Sequence, residues 1–143
     1  MIRILIADPD HATRKALTLL LRRKMGTNGI VGVGDVETLI TTLAGESPDI
    51  LLLDWRLYGS PAPDTCRLLQ KAYPNLKIIL LSVNADDETA AREAGADFIH
   101  KGAAPDELIA ILTPLLRKDS YNNESNVDKG GELKKEKRNS KGE

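Results

Sequence analysis

The sequence predicts an α/β fold, a doubly wound five-stranded parallel sheet with helices on both faces. Three observations carry this. Short apolar runs alternate with helix-period segments at spacings of ~20 to 25 residues, the rhythm of strands joined by crossover helices. One run, Ile50-Leu51-Leu52-Leu53, is apolar without alternation, as expected of a strand buried on both faces. Four of the five runs stop at a residue able to do chemistry, namely Asp8, Asp54, Ser82 and Lys101. In open α/β sheets, ligands bind outside the carboxyl ends of the strands.

The elements follow in order. Ile2 to Ala7 is the first strand, and Pro9 keeps the backbone of Asp8 extended. Asp10 caps the next helix, with Ala12, Ala16, Leu17, Leu20 and Leu21 on one face and Arg14, Lys15, Arg22 and Arg23 off it, and Gly26 ends it. Ile30 to Val33 is the second strand. Asp35 then caps a helix carrying Val36, Leu39, Ile40 and Leu43 at helical spacing, closed by Gly45. After the central strand and Asp54, two prolines, Pro61 and Pro63, stiffen a loop. Asp64 caps a helix with Thr65, Leu68, Leu69 and Ala72 on one side, ending before Pro74.

Lys77 to Leu81 is the fourth strand, ending at Ser82, and a short helix spans about Asp86 to Ala94 with three acids in its first turn. Gly95 ends it, Asp97 to His100 is the fifth strand, and Pro105 opens a last helix. Pro114 should kink or break that helix near Ala110. From Lys118 the composition turns to Asn, Ser, Gly, Lys and Glu, with Val127 and Leu133 the remaining aliphatics. Residues 1–117 are therefore expected to form one domain and 118–143 a disordered polar tail.

Composition narrows the function. The 20 basic and 21 acidic residues leave a formal charge of −1, so no whole-chain field points to nucleic acid or a membrane surface. Apolar runs fall far short of the ~20 residues of a membrane span, and Met1-Ile2-Arg3 enters a strand pattern with no cationic leader, so a cytoplasmic protein is expected. Cys66 is alone, read as a buried helix residue, and His11 and His100 are the only histidines, so no zinc cluster is expected.

The strand ends offer more. A lone Asp54 would be read as a loop opener, but a parallel sheet gathers Asp8, Asp54, Ser82 and Lys101 on one edge. Two carboxylates can hold a hard divalent cation such as magnesium. An aspartate can also attack a phosphoryl group to form an acyl phosphate, with an ammonium and a hydroxyl taking the charge on the phosphoryl oxygens.

On these residues the chain resembles a response-regulator receiver domain over residues 2–117. Asp8, Asp54, Ser82 and Lys101 stand in the family's order, Gly95-Ala96-Asp97 matches the usual lead into the fifth strand, and Phe98 occupies the aromatic switch place. The resemblance implies a flavodoxin-like strand order 2-1-3-4-5, with Asp54 as phosphoacceptor assisted by Lys101 and Ser82. Magnesium would be held by Asp8, Asp54 and the backbone carbonyl of Arg56, and Ser82 and Phe98 would form the switch. It implies a phosphoacceptor of two-component signalling, with no enzymatic activity beyond its own phosphorylation and dephosphorylation. The implied partners are a histidine kinase or phosphotransfer protein and a downstream protein target. A homodimer through the last two helices and fifth strand is allowed. With no second folded domain after residue 117, a protein contact is expected as output, with no direct DNA-binding domain and no membrane.

Four departures from the family pattern stand out. Pro9 replaces the second acid of the usual pair, so weaker magnesium binding is expected. Val83 stands where a small residue is common and could narrow access to Asp54. Tyr58 takes a common proline place, and the Ser82 to Lys101 segment is about one helical turn short. These keep open a phosphorylation-independent pseudo-receiver that docks or dimerises. A flavin-binding protein of the same topology ranks last, because Asp8-Pro9-Asp10-His11 has no glycine or hydroxyl to cradle a phosphate.

Overall fold

The order of the strands follows from which of them can be buried on both faces. The computed structural model describes residues 2–103 and 105–115. It contains β1 (Arg3–Ala7), α1 (His11–Met25), β2 (Gly29–Val33), α2 (Val36–Gly45), β3 (Ile50–Asp54), α3 (Ala62–Ala72), β4 (Lys77–Ser82), a 3-10 turn (Ala85–Asp87), α4 (Glu88–Glu93) and β5 (Asp97–His100). A last helix, α5, covers 105–115. The chain divides into two compact units, Met1–Ile109 and Ala110–Glu143, and the whole sheet belongs to the first. Its strands are all parallel, in the order β2-β1-β3-β4-β5.

The fully apolar β3 lies in the middle with all five residues buried, whereas β2, with two glycines and an exposed Val31, takes an edge. Side chains alternate across the sheet. Leu5, Ala7, Leu51, Leu53, Leu80 and Phe98 join a core with Leu39, Leu43, Cys66, Leu69 and Ala91 of α2, α3 and α4. Ile4, Ile6, Leu52 and Ile79 are buried on the opposite face. Asp10 and Asp35 cap α1 and α2 by accepting from Ala12 N–H and Thr38 N–H, and Gly26 ends α1 at φ 67°.

The loop after β3 is anchored at the start of α2, where the Val36 N–H donates to the Tyr58 carbonyl at 2.8 Å. Gly59 sits there at φ 125°, and a Cβ on it would come within 2.8 Å of Val36 Cβ. Only glycine fits both the angle and the space.

Several helix faces differ from the sequence reading. In α3 the inward set is Ala62, Thr65, Cys66 and Leu69, while Leu68 and Ala72 are exposed. The helix begins at Ala62, before Asp64, and has no side-chain cap, because a proline in the first turn lacks only an N–H that would be unpaired anyway. Ala12 and Ala16 of α1 and Ile40 of α2 are also exposed, since a short helix on a sheet buries a narrower stripe than its apolar residues span. The segment expected as one helix over Asp86 to Ala94 is a 3-10 turn followed by six helical residues. The expected interruption near Ala110 does not occur. Pro114 removes a single donor, and the described residues 105–115 are helical throughout. The proposed tail, 118–143, lies outside the described residues.

These faces are testable by denaturant titration. Leu69→Ala should cost ~2 to 5 kcal/mol through loss of burial and the cavity left behind. Leu68→Ala, one residue away but exposed, should stay within ~0.5 kcal/mol.

Candidate functional site

Register brings the acids together. Ala7 pairs with Leu53, so Asp8 and Asp54 leave adjacent strands at the same level, and Ser82 pairs with His100 so that Lys101 follows directly. The Lys101 N–H donates to the Ser82 carbonyl at 2.7 Å, which extends the ladder to that residue. From there its side chain reaches back past β4. Lys101 Nζ lies 2.7 Å from Asp8 Oδ2 and 2.5 Å from Asp54 Oδ1, a single ammonium bridging two carboxylates that are each 2 % exposed. The other oxygens are held by the backbone. Asp8 Oδ1 accepts from the Asp10 N–H at 2.8 Å, and Asp54 Oδ2 from the Arg56 N–H at 2.9 Å.

Lys101 is the electrostatic centre of this cluster. Burial pulls its pKa down, but the hydrogen bonds it donates to Asp54 and Asp8, reinforced by the charges of the two carboxylates, outweigh that and leave it above the usual 10.5. Asp54 Oδ1 has no partner among the described residues besides this ammonium. The Arg56 side chain is mostly exposed, with Nε 3.8 Å from Asp54 Oδ2. Asp10 stays with its helix, where the Thr13 hydroxyl donates to Oδ2 at 2.6 Å and holds its carboxyl below the usual range.

Asp8, Asp54 and Lys101 are thus brought together, but Ser82 and Phe98 are placed differently. The buried Ser82 hydroxyl donates to Asp87 Oδ2 at 2.6 Å and accepts from the Asn84 N–H at 3.0 Å. Phe98 is buried in the core cluster that includes Ala91 and Ala94. Val83 is 61 % exposed and its carbonyl accepts from His100 Nε2 at 2.8 Å.

Two participants escaped the sequence reading. Asp87 looked like one of three helix-start acids. Arg14 looked like a solvated residue, yet it is half-buried, passes over Gly32 and Gly34, and donates to the Asp8 carbonyl. The missing side chains of those two glycines, Gly32 in β2 and Gly34 just after it, were the available signal.

The model of the response regulator receiver domain matches residues 4–113. The chain belongs to that family. The receiver is 33 % identical over 120 residues to the DNA-binding response regulator MtrA of Mycobacterium tuberculosis, covering 82 % of this chain and 51 % of that protein. It is 30 % identical over 132 residues to the response regulator MprA of Mycobacterium ulcerans, covering 89 % and 55 %. Among solved structures, the fluoroberyllate-activated DrrB receiver domain has a TM-score of 0.71 at 22 % identity, covering 82 % of this chain and 98 % of that one. TrrA of Thermotoga maritima, in complex with magnesium and fluoroberyllate, has 0.72 at 22 %, covering 80 % and 99 %. At such identities the structural likeness concerns the fold, including the strand order.

This receiver spans about half the length of the curated relatives it matches. That overturns the expectation of an output by protein contact with no direct DNA-binding domain. Relatives with this receiver are named DNA-binding response regulators. A domain that buries its own core can be joined to further modules, so the point at which this sequence ends carries no information about output. Among the described residues, no helix is long and apolar enough to cross a membrane, and no group of three or more His, Cys, Asp or Glu side chains converges as a metal site.

The ammonium bridge makes a prediction about alkaline stability. A lysine pKa raised by folding contributes stability that is whole below the free value of 10.5 and is lost as pH climbs through the raised value. Relative to Lys101→Met, the wild type should keep its advantage at neutral pH and lose it through that alkaline window, as read by urea midpoints measured at successive pH values. At neutral pH, Lys101→Met should be destabilised by ~3 kcal/mol or more, because two buried carboxylates lose their counter-charge.

Proposed function

We propose that this receiver is a phosphoacceptor switch of two-component signalling, with Asp54 taking the phosphoryl group of a phosphohistidine. The observation that carries the reading is a buried carboxylate at the end of the central strand, with Oδ2 fixed by a backbone N–H and Oδ1 held only by an ammonium. Oδ1 attacks phosphorus, the phosphorus–nitrogen bond breaks, the imidazole leaves with its electron pair, and an aspartyl phosphate forms. Lys101, freed from Oδ1 as that oxygen becomes esterified, keeps its charge for the phosphoryl oxygens. The Ser82 hydroxyl, at the end of the neighbouring strand β4, is the further donor available to them.

The donor set suits a hard divalent cation. Asp8 Oδ2 and Asp54 Oδ1 share one ammonium and so lie no more than about 5 Å apart, with oxygen ligands of the kind magnesium selects. Asp8, Asp54 and the Arg56 backbone carbonyl would hold it. When bound, the cation supplies positive charge to the phosphoryl oxygens. The presence of magnesium and fluoroberyllate in TrrA supports the assignment. Pro9 supplies no carboxylate, so water must fill more of the coordination shell and affinity should be low.

Acetyl phosphate with magnesium should add one phosphoryl group, labile to hydroxylamine, as measured by intact mass. Asp54→Asn should remove it, because an amide is no comparable nucleophile. Magnesium titration followed by the fluorescence of the half-buried Trp55 should show tighter binding in Pro9→Asp than in the wild type. If the wild type stays unmodified at saturating magnesium while Pro9→Asp or Val83→Ala is modified, the domain works without phosphorylation. If no variant is modified, the transfer chemistry assigned to Asp54 is wrong.

A further inference from the structure

We infer that Asp87 is a positioning residue that holds Ser82 in its resting orientation and competes with the phosphoryl group for the serine proton. The inference rests on the phosphoacceptor reading of Asp54. Ser82 is 3 % exposed and its hydroxyl carries a single hydrogen. That hydrogen is donated to Asp87 Oδ2 at 2.6 Å, a short bond to a carboxylate, while the Asn84 N–H occupies an acceptor position at 3.0 Å. Both partners lie on the side of the 3-10 turn. The hydroxyl therefore cannot donate to a group on Asp54 without giving up a charge-assisted bond, which is among the stronger hydrogen bonds in proteins.

The geometry around Asp87 is built for this hold. The Asn84 side chain accepts from the Asp86 N–H at 3.0 Å, and the Asp87 N–H donates to the Asn84 carbonyl at 3.1 Å. The turn thus presents the Asp87 carboxylate to the end of β4. It runs straight into α4, which has only six residues, so release of Ser82 also frees the start of that helix from the strand. Asp87 does not touch the reacting atoms. It acts through Ser82, and its effect must vanish when the hydroxyl is absent.

A double-mutant cycle with fluoroberyllate and magnesium as the phosphoryl mimic tests this, read by Trp55 fluorescence in the full chain. Asp87→Ala should tighten fluoroberyllate binding about tenfold, the scale of one hydrogen bond to a charged group. In the Ser82→Ala background, the same substitution should change affinity by less than about twofold. That arm removes the contribution of the Asp87 charge by itself, which repels an anionic ligand whether or not Ser82 is present. Asp87→Asn, which keeps an acceptor oxygen and the turn, should fall between wild type and Asp87→Ala and guards against a folding defect. Equal tightening in both backgrounds, or none in either while the wild type binds, overturns the hold and leaves the phosphoacceptor reading intact. Binding and modification seen only after Asp87 is replaced support it in its strongest form. If no variant binds fluoroberyllate and none is modified by acetyl phosphate, both the hold and the phosphoacceptor reading fall.

Discussion

Two ionised aspartates at neighbouring strand ends, each almost wholly removed from water, would repel one another strongly in a medium of low dielectric. The Lys101 ammonium, 2.7 Å from one and 2.5 Å from the other, is what allows both to be charged and buried at once. Much of the domain can be understood from that requirement. The ammonium must come from a strand far enough away for a lysine to lie extended across the sheet edge, yet in register with the acids. A parallel sheet with β5 two places from β3 meets both conditions. An antiparallel neighbour would send its end to the opposite edge.

The remaining polar atoms divide into those that fix the acids and those that leave them free. Backbone N–H groups of Asp10 and Arg56 hold one oxygen of each carboxylate, so their orientation is set by the turns that follow β1 and β3. Arg14 anchors the first of these turns through the Asp8 carbonyl, in space left by Gly32 of β2 and by Gly34 just after it. The second is tied down where the loop after β3 meets α2, with Gly59 against Val36. What stays uncommitted is Asp54 Oδ1, whose only neutralising partner among the described residues is an ammonium that can follow charge to a new position. A rigid frame around one loosely committed oxygen is a suitable arrangement for transfer chemistry.

The far side of the site is organised differently. Ser82 is satisfied by Asp87 and Asn84 and not by the acids, and Phe98 is packed in the core. The hydroxyl and the aromatic ring are thus both engaged away from the acids. Moving the Ser82 hydroxyl would require breaking its bonds to Asp87 and to the Asn84 N–H. Exchanges of hydrogen bonds are what let a local charge event bias a two-state element.

Sequence alone determined the class of fold, the five strands and the level at which Asp8, Asp54, Ser82 and Lys101 emerge, because apolar runs and caps are local patterns with a fixed period. Helix faces were less legible. Leu68 and Ile40 have the right spacing and hydrophobicity, but a helix resting on a sheet buries only the stripe that touches it, and the docking angle is not a local property. The partners of the polar groups were not legible at all. That Ser82 turns to Asp87, that Lys101 bridges both acids, and that Arg14 reaches the Asp8 carbonyl were decided by tertiary structure. Hydrogen bonds and ion pairs change sharply over an ångström, and only the packed chain sets distances between residues 5, 6 and 93 positions apart to that precision.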